Sequence, residues 1–334
     1  MIIHLHFHRR ATGVTRSVAN ILPFLNKHTE TRVFGYGIRA PKIGLIGLFR
    51  VIWSGKETVV HAHRNNEVIF ALLLRTLGAK FLLVFTRHSD TTPSGFTLFL
   101  MKRADRLISL NPVMSESLPF KNTLIRHGVN TKIFNIGEKK KLPGIPQENI
   151  ISVIGRIRPE KGQITVIKAA VHLLREHPGW GILIIGKTDK QEYLNEILTI
   201  ASENGVSGQV HVIPETNDIL SCYHASEVVV IASLSEGFSL VCLEAMACGL
   251  ITIATADVGI HSEVIRPGVN GFLFPANDPD SLGKIISDIM ENRLRMNPEV
   301  IRQTVSDNWD INKSVSELLK VYQISKGRLS EVKY

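Results

Sequence analysis

Two glutamates eight positions apart, Glu236 and Glu244, lie in the stretch Ser235-Glu-Gly-Phe-Ser-Leu-Val-Cys-Leu-Glu-Ala-Met-Ala-Cys-Gly249. The β-branched run Glu227-Val-Val-Val-Ile-Ala-Ser233 before them reads as a buried strand. After them, Leu240, Leu243, Met246 and Ala247 recur at helical spacing, and Gly249 is a C-terminal stop. Glu236 therefore falls in a tight turn after a strand, and Glu244 falls on the first turns of the next helix. Within the run Gly237, Phe238, Ser239, Leu240, small residues place backbone N–H groups at the positive end of the helix dipole, a seat for a phosphate or sugar hydroxyls. Two carboxylates flanking such a seat suit a ligand with both hydroxyls and phosphate, as a nucleotide sugar has. The plain alternative is a strand–turn–helix with two solvated acids.

A second group supplies cations. Arg156, Arg158 and Lys161 follow the apolar run Ile150–Ile154 in Gly155-Arg-Ile-Arg-Pro-Glu-Lys-Gly162. When a diphosphate leaves, fixed cations stabilise its growing charge more in the transition state than in the ground state. Arginine offers a bidentate fork and lysine a point charge, so neither replaces the other well. There is no paired-aspartate motif in the sequence, and two cations with a helix start can take the place of Mg²⁺, so no metal or other cofactor is expected. Near the start, Thr12 and Gly13 form the turn after the strand Met1–Phe7, and glycine there lets the backbone approach a phosphate or an acceptor. Arg9, Arg10 and Arg16 flank that turn and are candidates for anionic acceptor groups. His88 follows the apolar strand ending at Phe85. His61 and His63 alternate on another strand and so face one side. They would suit a metal only if a third ligand met them, and packing is the preferred reading.

The elements that must position these residues alternate. Val59–His63, Phe81–Phe85 and Arg106–Leu110 read as strands of a first series. Ile150–Ile154, Gly181–Ile185, Val210–Ile213, Val228–Ala232 and Ile251–Ala254 form a second. Strands alternating with helical patterns imply α/β architecture with parallel sheets. The chain has 334 residues, 44% of them hydrophobic, enough for two cores. Glu138-Lys-Lys-Lys-Leu-Pro-Gly-Ile-Pro146 has linker composition, so we expect domains at 1–137 and 150–309 joined by 138–149. Cys222, Cys242 and Cys248 lack metal-ligand spacing and read as reduced thiols of a cytoplasmic protein. Neither a signal peptide nor a membrane-spanning run is evident in the sequence.

The net charge of +9 is uneven. Residues 1–150 carry 22 Lys and Arg against 8 Asp and Glu, or +14, whereas 151–334 carry 17 against 22, or −5. A basic first half implies an anionic partner. No recognition motif for nucleic acid accompanies it, so nucleic acid is not expected. Lys42–Trp53 is apolar with basic flanks and reads either as a crossover helix on the sheet or as an interfacial helix.

The Glu-x7-Glu spacing resembles the signature of retaining glycosyltransferases of the GT-B fold, which have two Rossmann-like domains. Ile150–Gly162 and Arg126-His-Gly-Val-Asn-Thr-Lys-Ile-Phe134 fall where that family places corresponding segments. Arg9–Thr15, Thr86-Arg-His-Ser-Asp-Thr-Thr-Pro-Ser94 and Gly155–Gly162 together look like the bacterial lipopolysaccharide core mannosyltransferases. The resemblance implies two parallel sheets facing across a cleft, an acceptor-binding first domain, and a donor-binding second one. It also implies a last helix, at about 310–334, that crosses back to the first domain.

The resemblance further implies roles. Arg156 and Lys161 match the diphosphate-binding pair, Glu244 the carboxylate on the ribose, Glu236 the one beside the donor sugar, and His88 a histidine near that sugar. Glu215 lies in Ile213-Pro-Glu-Thr-Asn217, a loop that the family places near the base. The expected activity is transfer of mannose from GDP-mannose to the Kdo region of a lipid A-linked core. The expected location is the inner-membrane surface, held to its anionic lipid. Another hexose donor such as a UDP-sugar, with a capsule, O-antigen or glycolipid acceptor, is the alternative in the same class. A degenerate GT-B binding protein is the one outside it.

Overall fold

The structure, a computed structural model, describes residues 1–9, 12–89 and 91–323. It contains two compact units, one of residues Met1–Gly128 with the chain from Ile311 onward, the other of Val129–Asp310.

The first unit is built on strands β1 (Ile2–His6), β2 (Thr31–Gly35), β3 (Val59–Ala62), β4 (Leu82–Thr86), β5 (Arg106–Ser109) and β6 (Thr123–Leu124). They pair in parallel in the order β2-β1-β3-β4-β5-β6. Between them run α1 (Gly13–Leu25), α2 (Leu45–Ile52), α3 (Asn65–Thr76), α4 (Gly95–Met101) and α5 (Pro112–Ser117). Strand side chains alternate faces. Ile3, Leu5, Val60, Ala62, Leu83 and Phe85 meet the buried stripes of α2, α3 and α4 on one face. Ile2, Val59, Val84 and Ile108 meet α1 on the other.

The second unit has β7 (Asn149–Ile154), β8 (Trp180–Ile185), β9 (Val210–Ile213), β10 (Val228–Ile231), β11 (Ile251–Thr255) and β12 (Phe272–Phe274). All pair in parallel, in the order β12-β11-β10-β7-β8-β9. Its helices are α6 (Gln163–Glu176), α7 (Gln191–Glu203), α8 (Ile219–Ala225), α9 (Leu240–Ala247), α10 (His261–Val264), α11 (Pro279–Met290) and α12 (Pro298–Asn308). The chain then returns as α13 (Ile311–Tyr322), whose Ile311, Val315, Leu318 and Tyr322 complete the α1 side of the first core. Expected residues 324–334 of that helix lie outside the described residues.

The units divide between Gly128 and Val129 rather than after 137. Val129 N–H donates to the Trp309 carbonyl at 2.9 Å, and Arg302 donates to the carbonyls of Thr131, Phe134 and Ala247 at 2.6–2.9 Å. These bonds tie 129–134 to the second unit, which the linker-like composition further on does not reveal. The expected linker is itself pinned there, through Lys140 N–H on the His224 carbonyl (3.0 Å) and Gln147 on the Gly208 carbonyl (2.9 Å).

Candidate active site

In each sheet the chain reverses direction of winding at one place, and ligands of open α/β sheets bind beyond the carboxyl ends of the strands there. In the second unit that place is the β10–β7 pair. The loop after β7 carries Arg156 and Lys161, and the turn after β10 carries Glu236. The Lys161 ammonium is ion-paired to Glu236 Oε1, with both side chains mostly buried. Ser233 O–H donates to the same oxygen at 2.7 Å. Burial alone would raise the Glu236 carboxyl. The Lys161 charge and the hydrogen bonds from Lys161 and Ser233 outweigh it, so its pKa lies below the ordinary 4.5. Glu236 is thus a carboxylate held by a cation, not a proton donor.

Backbone geometry fixes this arrangement. Lys161 ends a 3₁₀ turn, Pro159–Lys161, and Gly162 follows at φ +65, where a Cβ would collide with the Ala232 carbonyl oxygen. The loop is therefore seated directly on the end of the β10 segment. Ser239 opens α9 at φ +94, a region that non-glycine residues avoid. Its hydroxyl does not cap the helix. It pairs with His261 Nε2 at 2.9 Å, while His261 Nδ1 donates to the Thr255 carbonyl at 2.8 Å. Because that carbonyl can only accept, Nδ1 bears the proton and Ser239 O–H donates to Nε2. Burial lowers the His261 pKa against the opposing pull of Glu236, in keeping with this neutral tautomer.

The other second-unit candidates are placed as follows. Glu244 is buried in α9, and Tyr223 O–H donates to its Oε2 at 2.7 Å. Arg156 pairs with Asp189 at 3.0 Å and is part-exposed, and Arg158 lies 3.6 Å from Glu160. Phe238 is buried 6.0 Å from the Trp309 ring, so the turn Gly237–Leu240 can offer its backbone there but not that side chain. Glu215 is exposed after β9, an edge strand two places from β7.

In the first unit the reversal lies between β1 and β3. Thr12 caps α1, accepting from Thr15 N–H at 3.3 Å, and Arg64 donates to the Thr12 hydroxyl at 3.0 Å. A methyl group at Gly13 would meet no atom within 4 Å, so the chain's own packing does not demand glycine there. Open space at that residue suits a ligand. Arg9 lies 5.3 Å from the Tyr36 ring and Arg16 is exposed, whereas Arg10 lies outside the described residues.

His88, half-buried after β4, ends a chain of imidazoles. His88 Nε2 is 3.0 Å from His63 Nδ1, and His63 Nε2 is 3.0 Å from His4 Nδ1. The third ligand that His61 and His63 lacked in the sequence is His4, brought beside His61 by the β1–β3 register. The ligand atoms of His4, His61 and His63 lie within 4.8 Å of one another. His61 spans the Tyr322 hydroxyl at 2.6 Å and the Thr86 hydroxyl at 2.7 Å, and His63 bonds to His4 and His88, whereas the buried Nε2 of His4 has no hydrogen-bond partner among the described residues. For His61 to ligate a metal it would have to give up its bond to Tyr322 or to Thr86. Burial lowers His4 to about 3 and His127 to about 4, and puts His61, His63 and His88 well below 6.5.

Residues 135–304 match the family described as Glycosyl transferases group 1, about half of the chain. The chain belongs to this family. The glycosyltransferase is 29% identical over 299 residues to the lipopolysaccharide core biosynthesis mannosyltransferase LpcC of Rhizobium leguminosarum bv. viciae, covering 86% of this chain and 85% of that protein. It is 29% identical to LpsB, of the same description, from Rhizobium meliloti (strain 1021), covering 96% and 97%. In fold it is similar to Anabaena HepE, solved with UDP and glucose, at a TM-score of 0.78 and 18% identity over 96% and 98% of the chains. Two parallel six-stranded sheets with interleaved helices are those of a GT-B glycosyltransferase.

Three glycosyltransferase residues had no signal in the sequence. Tyr223 and His261 reach Glu244 and Ser239 from 21 and 22 positions away, and His4 reaches His63 across 59. Ser233, three residues before Glu236, was within reach of a turn argument.

Proposed function

We propose that this glycosyltransferase is a retaining mannosyltransferase that takes mannose from GDP-mannose and adds it to the Kdo/lipid A inner core during lipopolysaccharide biosynthesis. The observation that carries the reaction class is the Lys161–Glu236 pair at the winding reversal of the second sheet, beside the start of α9. A donor diphosphate arriving there exchanges one anionic partner of Lys161 for another, and Arg156 stands on the same loop. As the glycosidic bond breaks, these cations and the α9 dipole stabilise charge on the leaving phosphate. Glu236, already ionised, orients the sugar and favours its developing positive charge. It forms no covalent link in this account. Glu244 with Tyr223 receives the ribose hydroxyls.

Mannose and the lipopolysaccharide acceptor are supported by the likeness to LpcC and LpsB over most of both chains. The acceptor's phosphates and carboxylates complement the +14 first half, with Arg9, Thr12 and Arg16 near its entry and Arg10 beside them in sequence. Among the described residues no helix is long and apolar enough to cross a membrane. We place the enzyme on the cytoplasmic side of the inner membrane, drawn to anionic lipid by its basic unit. The deciding experiment offers pure enzyme a panel of nucleotide sugars with Kdo-lipid A. A product heavier by one hexose with GDP-mannose alone supports the reading, and a product only with a UDP-sugar refutes the donor.

A further inference from the structure

The helices α2, α3 and α4 all cover the same face of the first sheet, and their inward stripes are its core. Their outward stripes are apolar too. On α2, Leu48 and Ile52 are buried, yet Leu45, Ile46 (78% exposed), Phe49 and Trp53 face out at i, i+1, i+4 and i+8. On α3, Val68, Ala71 and Leu74 are buried, while Ile69, Leu73 (56% exposed) and Leu77 recur outward at four-residue steps. Phe96 and Phe99 repeat the pattern on α4. A soluble helix has one apolar stripe and a polar opposite face. Three neighbouring helices that are apolar on both sides form a continuous exposed apolar face, which folding alone does not explain.

The helices adjoin. A Cβ at Gly78, just past α3, would come within 3.9 Å of the Trp53 ring at the end of α2, and α3 packs on α4. The edges are basic: Lys42, Arg50, Lys80, Lys102 and Arg103 are exposed, and Arg103 lies 3.6 Å from the centre of the Phe99 ring. The only acid in the three helices is Glu67, which is buried and accepts from the backbone N–H groups of His63 and Phe7. An apolar face with a tryptophan and snorkelling cations at its margin is built for the water–lipid boundary.

We infer that the α2–α3–α4 face is inserted into the headgroup–acyl boundary of an anionic phospholipid bilayer. A second copy of the chain is a poorer occupant, because pairing two such faces would bring like charges together around the rim. The insertion deepens the electrostatic attachment proposed above, and its test involves neither donor nor acceptor, so it stands or fails apart from the mannose assignment. It also widens the sequence expectation, which considered 42–53 alone. The α3 stripe was not legible there because Ile69–Leu77 is apolar but for Arg75 and Thr76 and shows no distinct outward side.

The experiment uses the full chain with vesicles of phosphatidylcholine alone or with phosphatidylglycerol, at low and high salt, with and without brominated acyl chains. Binding to anionic vesicles should keep a component at high salt, and brominated lipid should quench a fluorescence fraction that disappears in Trp53→Phe, since Trp180 and Trp309 belong to the second unit. Ile46→Asp with Leu73→Asp should weaken binding at least tenfold while the near-ultraviolet dichroism and melting stay as in the parent. Binding abolished by salt without Trp53 quenching would leave only electrostatic attachment and overturn the inference. So would a dimer dispersed by the same substitutions.

Discussion

His63 Nδ1 stands 3.0 Å from His88 Nε2, and the other nitrogen of His63 stands 3.0 Å from His4 Nδ1. A neutral imidazole has one N–H, so donation must run in one direction along the three rings. The tautomer of His88 is thereby coupled to that of a ring buried in β1. Replacing His63 with Phe keeps a ring in the core but frees His88 Nε2. Turnover should fall on the order of tenfold, the worth of about one hydrogen bond, with the donor KM little changed. The imidazole ¹⁵N shifts of His88 should move from one tautomer to a mixture. Parent turnover with an unmoved His88 spectrum would detach the chain from the reaction.

Lys161→Ala and Arg156→Ala should each cost on the order of a hundredfold in kcat/KM. The two should differ in stability. Lys161→Ala strands a mostly buried carboxylate, Glu236, whereas Arg156 and Asp189 are exposed enough to be rehydrated. The lysine variant should therefore melt lower, and Lys161→Ala with Glu236→Gln should recover melting but not turnover. Recovery of both would show that Lys161 serves only to neutralise Glu236.

The sequence carries the local parts of this site and misses the distant ones for one reason. Lys161 and Glu236 each follow a β-branched run within a few residues, so strand, turn and side chain can be read together. Tyr223 and His261 reach Glu244 and Ser239 within the second unit, and His4 reaches His63 within the first, through the order in which the elements pack, which one sequence does not encode locally. The same limit explains β2, β6 and β12: two are three residues or shorter, and β2 is an edge strand with Arg32, Phe34 and Gly35 only half-buried. The early division at Gly128 rests on Arg302, some 170 residues beyond the Thr131 and Phe134 carbonyls it binds.

Acid should destabilise the first unit in a defined window. His4 at about 3 and His127 at about 4 are lowered from 6.5 by burial, so the unfolded chain takes up protons first as pH falls. Stability is then complete above pH 6.5 and declines below it, by about 1.4 kcal/mol per pH unit for each such histidine until its folded pKa is reached. Glu236 acts lower: its depressed pKa gives stability that is present above 4.5 and is lost as pH falls through the folded value. Melting recorded from pH 7.5 to 5 should fall below about pH 6.5, and His127→Asn should flatten the slope. A level profile in the parent would mean that these histidines are charged in the folded state.

Turnover should survive EDTA. In the donor loop Arg156 and Lys161 can meet a diphosphate directly, and the loop sequence has no pair of aspartates to hold Mg²⁺ against it. Activity lost on chelation and restored by Mg²⁺ or Mn²⁺ would show that the two cations are not enough.

The donor base is the most exposed part of the proposal, in both senses. Guanine presents two adjacent N–H donors that one carboxylate can accept together, and uracil presents one. Of the two acids in the loop after β9, Asp218 caps α8, and Glu215 is solvent-exposed, so it can reach a base without breaking the core. It follows β9, two strands from β7, whose loop carries Arg156 and Lys161. Calorimetric titration should show GDP binding at least about tenfold tighter than UDP, a difference of about 1.4 kcal/mol. Glu215→Gln, which keeps one acceptor oxygen and adds a donor, should narrow that gap by weakening GDP and leaving UDP as it was. If GDP wins and the substitution changes nothing, guanine is read by backbone carbonyls instead. If UDP wins, the mannose donor is wrong, while the GT-B fold and the Lys161–Glu236 chemistry remain.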